Sequence, residues 1–190
     1  MCADAHINIL PEIAYSMAEL HVIGRIEKGA GYPEARLFIR WNVHLGGGWK
    51  VVQGETEGQT QTDISSLQDA YFSHPLDFHL TTKTMHGWPH LNIEIWHYDD
   101  YGRQEPYGYG TAYIPTAPGE HTLICYTWRP KGGFTEELTH RFLGGGLQLQ
   151  SLCTTEPSED RMRLQTLAMG TVEIHLTVMA RNFEKFGIIS

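Results

Sequence analysis

The chain has 190 residues, of which 41% are hydrophobic and 19% charged, and its formal net charge at pH 7 is −8. This length and composition predict one soluble folded domain and exclude an intrinsically disordered chain. Binding to phosphate backbones needs clustered Lys and Arg, so the acidic balance predicts no nucleic-acid partner. No run of about 18 apolar residues predicts a membrane-spanning helix.

The first sixteen residues, MCADAHINILPEIAYS, are predicted to be a loosely ordered N-terminal extension. They lack the basic start and the long apolar run of a secretory signal. The domain is placed at residues 17–187, with a C-terminal tail at 188–190. Three cysteines, Cys2, Cys125 and Cys153, are odd in number and far apart, which predicts reduced thiols in a cytoplasmic protein.

Alternation of apolar and polar residues, the pattern of a half-buried strand, dominates the chain. Residues rich in Gly, Pro and Asp separate the alternating segments, and the triple glycine at 46–48 is expected to form a tight hairpin. In chain order the predicted strands are 21–27, 37–45, 49–53, 76–80, 91–95, 108–114, 121–126 and 172–178.

One helix is predicted at 134–143, where Phe134, Leu138 and Phe142 recur every four residues, and the glycines at 144–146 would end it. The polar stretch 154–161 is predicted to be a loop. About eight short strands with turns between them indicate an all-β fold, an antiparallel β-sandwich with one short helical insertion.

Catalytic motifs are missing from the sequence. It has no G-x-S-x-G elbow, no phosphate loop and no dinucleotide fingerprint, and Cys125 lies in an apolar run typical of a small core residue. The eleven histidines raise the question of zinc, but Gly87 and Pro89 prevent His86 and His90 from sharing a helical face. The sequence predicts no enzyme, no metal and no cofactor.

The segment IWHYDDYGRQEPYGYG, residues 95–110, resembles the calcium loop of C2 domains. Those domains place an aspartate pair just after a strand, whereas here His97 takes the first place and Asp99 the second, followed by Asp100. The other loop of such a site, residues 27–41, offers only Glu27 and Glu34. Calcium needs six to eight oxygen ligands, so we expect a C2-shaped turn without calcium.

Seven segments, spread in order from residue 17 to residue 187, resemble the B9-domain family, in particular its small single-domain members. The segments are MAELHVIG, GWKVVQGETEGQTQTD, SHPLDFHLTTKTMHGWPHLNIEIW, DDYGRQEPYGYGTAYIP, TWRP, FLGGG and GTVEIHLTVMARNFEKFG. The resemblance implies a C2-like antiparallel β-sandwich, in agreement with the alternation. It supplies no catalytic residues.

The resemblance also implies a function. Such proteins are non-enzymatic structural subunits of the ciliary transition-zone assembly, the tectonic-like or Meckel-syndrome complex, which supports cilium assembly and gates the content of the ciliary membrane. The implied partners are the two other B9-domain proteins, the Meckel-syndrome type and the other single-domain type, with tubulin at the basal body and a membrane surface as further partners. The implied location is the cytoplasm at the base of the cilium, in the transition zone and basal body.

Aromatic and basic residues are the usual anchors of interfaces, so they supply the predicted contact residues. Each of the aromatic residues has an alternative role as part of the core or as a lid at an end of the sandwich. Calcium-independent binding to phospholipid is the competing hypothesis, with loop tips at HGWPH and TWRPKGG. The predicted contact residues are Trp88, Tyr101, Tyr107, Tyr109, Trp128, Arg129 and Lys131.

Overall fold

A computed structural model describes residues 17–64, 69–99, 101–131 and 165–186. Several sequence predictions lie outside these residues: the extension at 1–16, the helix at 134–143, the loop at 154–161, the tail at 188–190 and any role of Asp100. Over the part described, no helix is both long enough and apolar enough to span a membrane.

The described chain is almost entirely antiparallel β-structure, and all eight predicted strands are confirmed. Most of them extend beyond their predicted limits because polar residues continue the outer face of each strand. The strands are β1 Ala18–Ala30, β2 Leu37–His44, β3 Trp49–Gly54, β4 Glu57–Gln59, β5 Ala70–Thr82, β6 His90–Tyr98, β7 Gln104–Tyr113, β8 Gly119–Pro130 and β9 Thr166–Arg181. A short 3-10 helix, Phe183–Phe186, follows β9.

The nine strands follow one another in the order β3-β5-β1-β9-β8-β7-β6-β2-β4. β7 and β8 are joined at a single residue pair, Tyr109 with Trp128, so the sheet folds there into two layers, β3-β5-β1-β9-β8 and β7-β6-β2-β4. β3 and β4 are the first and last strands of this order, so they are the two edge strands. The chain passes directly from one to the other through Glu55 and Thr56. The result is a C2-like β-sandwich whose two edge strands are consecutive in the chain.

The core lies between the layers and is formed by the apolar face of every strand except β4. Val22 of β1 pairs with Phe78 of β5 on one side and with Val178 of β9 on the other, and all three are buried. In the facing layer Ile39 of β2 pairs with Ile95 of β6, and both are fully buried. Removing one such side chain from water contributes about 1.5–3 kcal/mol to stability.

The expectation for the triple glycine at 46–48 is wrong, because β2 and β3 do not pair with each other. β2 pairs with β4 and β6, whereas β3 pairs with β5 in the other layer, so this segment crosses between the layers. A Cβ on Gly46 would lie 2.5 Å from the Cα of Gly87. The backbones of two loops touch here, and the absence of a side chain permits that contact.

Candidate interaction surface

Three segments meet at one end of the sandwich, which we call the loop end: residues 31–36, residues 99–103 without Asp100, and residues 128–131. The Tyr98 N–H donates to the Arg36 carbonyl at 3.0 Å, and His97 Nδ1 lies 2.8 Å from the Ala35 carbonyl oxygen. These contacts fix the β1–β2 connection against the β6–β7 hairpin. His97, which takes an aspartate place of the C2 pattern, therefore joins the end of β6 to loop 31–36.

Asp99 shapes the hairpin. Its Oδ1 accepts from the backbone N–H groups of Tyr101, at 2.9 Å, and Arg103, at 2.7 Å, and its Oδ2 accepts from Arg103 Nε at 2.6 Å. Desolvation raises the pKa of the Asp99 carboxyl, but hydrogen bonds from Arg103 and Tyr101 outweigh it and leave that pKa below its ordinary value. Gly102 completes the turn with a φ of 82°, which confirms the predicted turn.

Glu27 and Glu34 are the other described carboxylates considered for calcium, and Glu34 belongs to loop 31–36 at the loop end. Glu27 belongs to β1, where it accepts a hydrogen bond from Arg25 Nε and lies 3.5 Å from Ser73 Oγ. Within the described ranges, no group of three or more His, Cys, Asp or Glu side chains could hold a metal ion.

Four predicted contact residues stand at the loop end with part of their surface in solvent. Tyr101 is 86% exposed, with the Arg103 guanidinium 5.7 Å from its ring centre. Tyr107 is half-buried; burial, followed by the Glu34 carboxylate, raises its pKa to about 12 against an opposing effect of Arg129. Arg129 is half-buried, and Lys131 is exposed. Their role in partner contact stays a prediction.

Two predicted contact residues are buried. Tyr109 and Trp128 are 3% and 9% exposed, their ring centres are 5.9 Å apart, and they form the pair that joins β7 to β8. Their packing agrees with the alternative role, in which they close the side of the sandwich where the sheet changes layer. Their contact with a partner stays a prediction.

Trp88 lies at the opposite end of the sandwich from the other six. Its Nε1 donates to the Ile114 carbonyl at 2.7 Å, and its ring makes edge contacts with Trp49, at 5.2 Å, and Phe183, at 5.9 Å. Trp88 thus covers that end of the core. The two loop tips considered for phospholipid, at Trp88 and Trp128, point to opposite ends, so one flat membrane could meet only one of them.

The sequence did not predict a buried cluster of hydrogen bonds among Tyr32, Thr127 and Gly170, which we call the clasp and which holds the loop end together. Thr127 Oγ1 donates to the Gly170 carbonyl at 2.8 Å and accepts from the Gly170 N–H at 3.2 Å. The single hydroxyl hydrogen of Thr127 is directed at Gly170, so the Tyr32 hydroxyl, 2.7 Å away, donates to Thr127. The clasp joins loop 31–36 to β8 and β9. The only hint in the sequence is Gly170 inside a strand pattern, which indicates close approach of another backbone.

A first prediction concerns this clasp. The substitution Thr127→Val keeps the shape of the side chain but leaves the Gly170 N–H and the Tyr32 hydroxyl without their buried partner. We expect the free energy of unfolding to fall by about 1–2 kcal/mol, measured by urea titration. The exposed Thr122 of the same strand is the control, and Thr122→Val should change stability by less than about 0.5 kcal/mol. Equal effects of the two substitutions would contradict a role for the clasp.

A second prediction concerns Cys125, whose predicted place in the core is confirmed. It is 2% exposed, and burial raises the pKa of its thiol to about 12. In a Cys2→Ser/Cys153→Ser variant at pH 8, alkylation by iodoacetamide should be at least about a hundredfold slower for the folded protein than in urea, because only the thiolate reacts. A similar rate in both conditions would show that Cys125 is accessible.

Comparisons with known proteins identify relatives of this chain. Residues 20–179 match the family model described as "Ciliary basal body-associated, B9 protein". B9 domain-containing protein 2 of Xenopus laevis is 49% identical over 175 residues, covering 92% of this chain and 99% of that protein. The protein of the same name from Homo sapiens is 45% identical over 173 residues, covering 90% of this chain and 99% of that protein.

A more distant relative contains the same kind of domain within a longer chain. Tectonic-like complex member MKS1 of Homo sapiens is 29% identical over 178 residues, which cover 83% of this chain and 32% of that protein. Among solved structures, the C2A domain of plant extended synaptotagmin 1 aligns with a TM-score of 0.44 and 10% identity, covering 87% of this chain and 96% of that one.

Proposed function

Because the chain belongs to the B9 family of ciliary basal body-associated proteins, we propose that it is a non-enzymatic structural subunit of the transition-zone assembly. In this role it contacts the Meckel-syndrome-type and the other single-domain B9 proteins, supports cilium assembly and helps to gate the ciliary membrane. The observation that carries the proposal is the 45% sequence identity with B9 domain-containing protein 2 of Homo sapiens, which extends over nearly the full length of both chains. A matching region in a relative named as a tectonic-like complex member supports it further.

The surface of the loop end supports a role in contact between proteins. Tyr101 is the most exposed aromatic side chain among the described residues, and Arg103, Arg129 and Lys131 lie on the same end. Tyr and Arg are favoured at the centres of interfaces, Tyr because it buries a large surface with few rotatable bonds to fix and Arg because its planar guanidinium forms paired hydrogen bonds and stacks on aromatic rings. We therefore place the contact with a B9 partner at the loop end.

Light scattering after size exclusion tests the proposal, with this chain measured alone and mixed with each of the two other B9-domain proteins of the same organism. We expect a stable complex of defined stoichiometry with at least one of them, and none with an unrelated C2 domain. If the chain binds neither B9 protein and instead sediments with anionic liposomes in the absence of calcium, a peripheral membrane role replaces the proposal. Co-sedimentation with microtubules would show whether tubulin is a further partner.

A matched pair of substitutions tests the location of the contact. Tyr101→Ala truncates an exposed tyrosine at the loop end, and Tyr126→Ala truncates one that is 74% exposed on the outer face of β8. We expect Tyr101→Ala to weaken the complex by about tenfold or more, because exposed aromatic anchors contribute upwards of 1 kcal/mol, and Tyr126→Ala to leave it unchanged. The reverse result would move the contact to the outer face of β8.

A further inference from the structure

The edge strand β4 has backbone N–H and C=O groups that pair with no described strand. β4 pairs only with β2 among these strands. The flanking ladder bonds run from Val43 N–H to the Thr56 carbonyl at 2.6 Å and from Thr60 N–H to the Ile39 carbonyl at 2.9 Å. Antiparallel ladders alternate residue by residue, so Glu57 and Gln59 direct their N–H and C=O groups away from β2. An open edge of this kind can accept a strand from another chain.

An acidic groove lies beside this edge, on the outer face of the β7-β6-β2-β4 layer. It has a volume of about 500 Å³, and its lining carries three carboxylates and one cationic side chain. The polar side chains that shape it include Arg40, Asn42, Glu55, Glu57, Gln59 and Glu94. The charge of the groove therefore favours a positively charged occupant.

The one cation of the groove does not neutralise these carboxylates. The Arg40 guanidinium lies 4.3 Å from the ring centre of Trp96 and donates to the amide oxygens of Gln59, at 3.1 Å, and Gln104, at 2.7 Å. Glu55 and Glu57 are exposed, and no cation of the described chain comes within 4.0 Å of either. Two carboxylates thus remain available next to an open strand edge.

We propose that β4 and this groove bind an extended segment of a partner protein that carries Lys or Arg at alternate positions. The segment would add as a strand to β4, with its backbone paired to Glu57 and Gln59. Side chains two residues apart project from the same face of a strand, so alternate basic residues would meet Glu57 and Glu55, which are themselves two positions apart. This inference goes beyond the proposed contact at the loop end and holds whichever protein supplies the segment.

Three fluorescent peptides of about eight residues separate strand addition from simple charge attraction. One alternates lysine with threonine, the second replaces every lysine with glutamate, and the third has the lysine–threonine sequence with every backbone amide N-methylated, which keeps the charge but removes all backbone donors. Fluorescence anisotropy with the full chain should give the lysine–threonine peptide an affinity about tenfold or more above both others. Equal binding of the N-methylated peptide would overturn the proposal, because charge alone would then suffice.

Variants of the chain locate the site. Glu55→Lys/Glu57→Lys should weaken binding of the lysine–threonine peptide by about tenfold or more, whereas the control Glu120→Lys/Glu184→Lys, with the same change in net charge elsewhere, should not. Gln59→Pro removes an outward N–H and should also weaken binding, compared with Gln59→Ala, which removes the same side chain and keeps the N–H. If both charge variants weaken binding equally, the site is not at β4.

Failure of this inference can be distinguished from failure of the proposed function. Peptide binding at β4 by a chain that forms no complex with B9-domain proteins would support this inference and contradict the proposed function. A B9 complex that survives Glu55→Lys/Glu57→Lys, formed by a chain that does not bind the lysine–threonine peptide, would support the proposed function and overturn this inference.

Discussion

Replacing Phe78 with alanine should lower the free energy of unfolding by about 3–5 kcal/mol, the range for truncating a fully buried phenylalanine. Phe78 is 1% exposed and pairs with Val22 on one side and with Gly54 at the edge on the other. Its ring fills the space between the two layers, and the backbone of two paired strands limits how far the site can collapse. In urea titration the midpoint should fall by about 1–3 M.

The control for this substitution is Ile124→Ala. Ile124 lies in the same layer as Phe78 but on its outer face, where it is 58% exposed. Removing its side chain should change stability by less than about 0.5 kcal/mol. If both substitutions had the same small effect, the core would not lie between the two layers, and the β-sandwich would be wrong.

The strands were predictable because their signal is local. In β5 and β9 the alternation places Leu76, Phe78, Ile174 and Leu176 on one face, and burial of these residues confirms that face as the inner one. A period of two depends only on neighbouring residues along the chain, so it can be seen without knowing which strands pair.

Connections between the layers were not predictable by the same means. The glycines at 46–48 have the composition of a hairpin turn. Gly46 is instead needed because the backbone of Gly87, about forty residues away in the chain, packs directly against it. β4 is only three residues long and contains Glu57, Gly58 and Gln59, none of which favours strands. It forms because it pairs with β2, and pairing is a property of the tertiary fold.

The candidate surface was predictable in part. Aromatic and basic composition singled out seven residues, and six of them lie towards one end, because β7 and β8 both bring their residues to the loop end. Composition could not separate Tyr101, which is exposed, from Tyr109, which is buried. It also gave no signal for the groove beside β4, where Glu55 and Glu57 become neighbours of Glu94 only after β2 has paired with both β4 and β6.

Gly170→Ala is the second substitution with a large expected effect. A Cβ at this position would lie 2.3 Å from the Ala30 carbonyl oxygen and 2.8 Å from the ring of Tyr32. Neither neighbour can move freely, since Ala30 belongs to β1 and Tyr32 is held by its hydrogen bond with Thr127. We expect the free energy of unfolding, measured in urea, to fall by about 2–3 kcal/mol, as in other overpacked sites.

Gly47→Ala is the matched control, because a Cβ on Gly47 would meet nothing within 4 Å. Both substitutions add the same methyl group and restrict the unfolded chain equally, so the difference between them isolates the crowding at Gly170. Gly47→Ala should be neutral or stabilise the protein by up to about 1 kcal/mol. If Gly170→Ala proved as stable as Gly47→Ala, loop 31–36 would be able to move away from β9 at little cost. The clasp of Tyr32, Thr127 and Gly170 would then not be what holds the loop end in place.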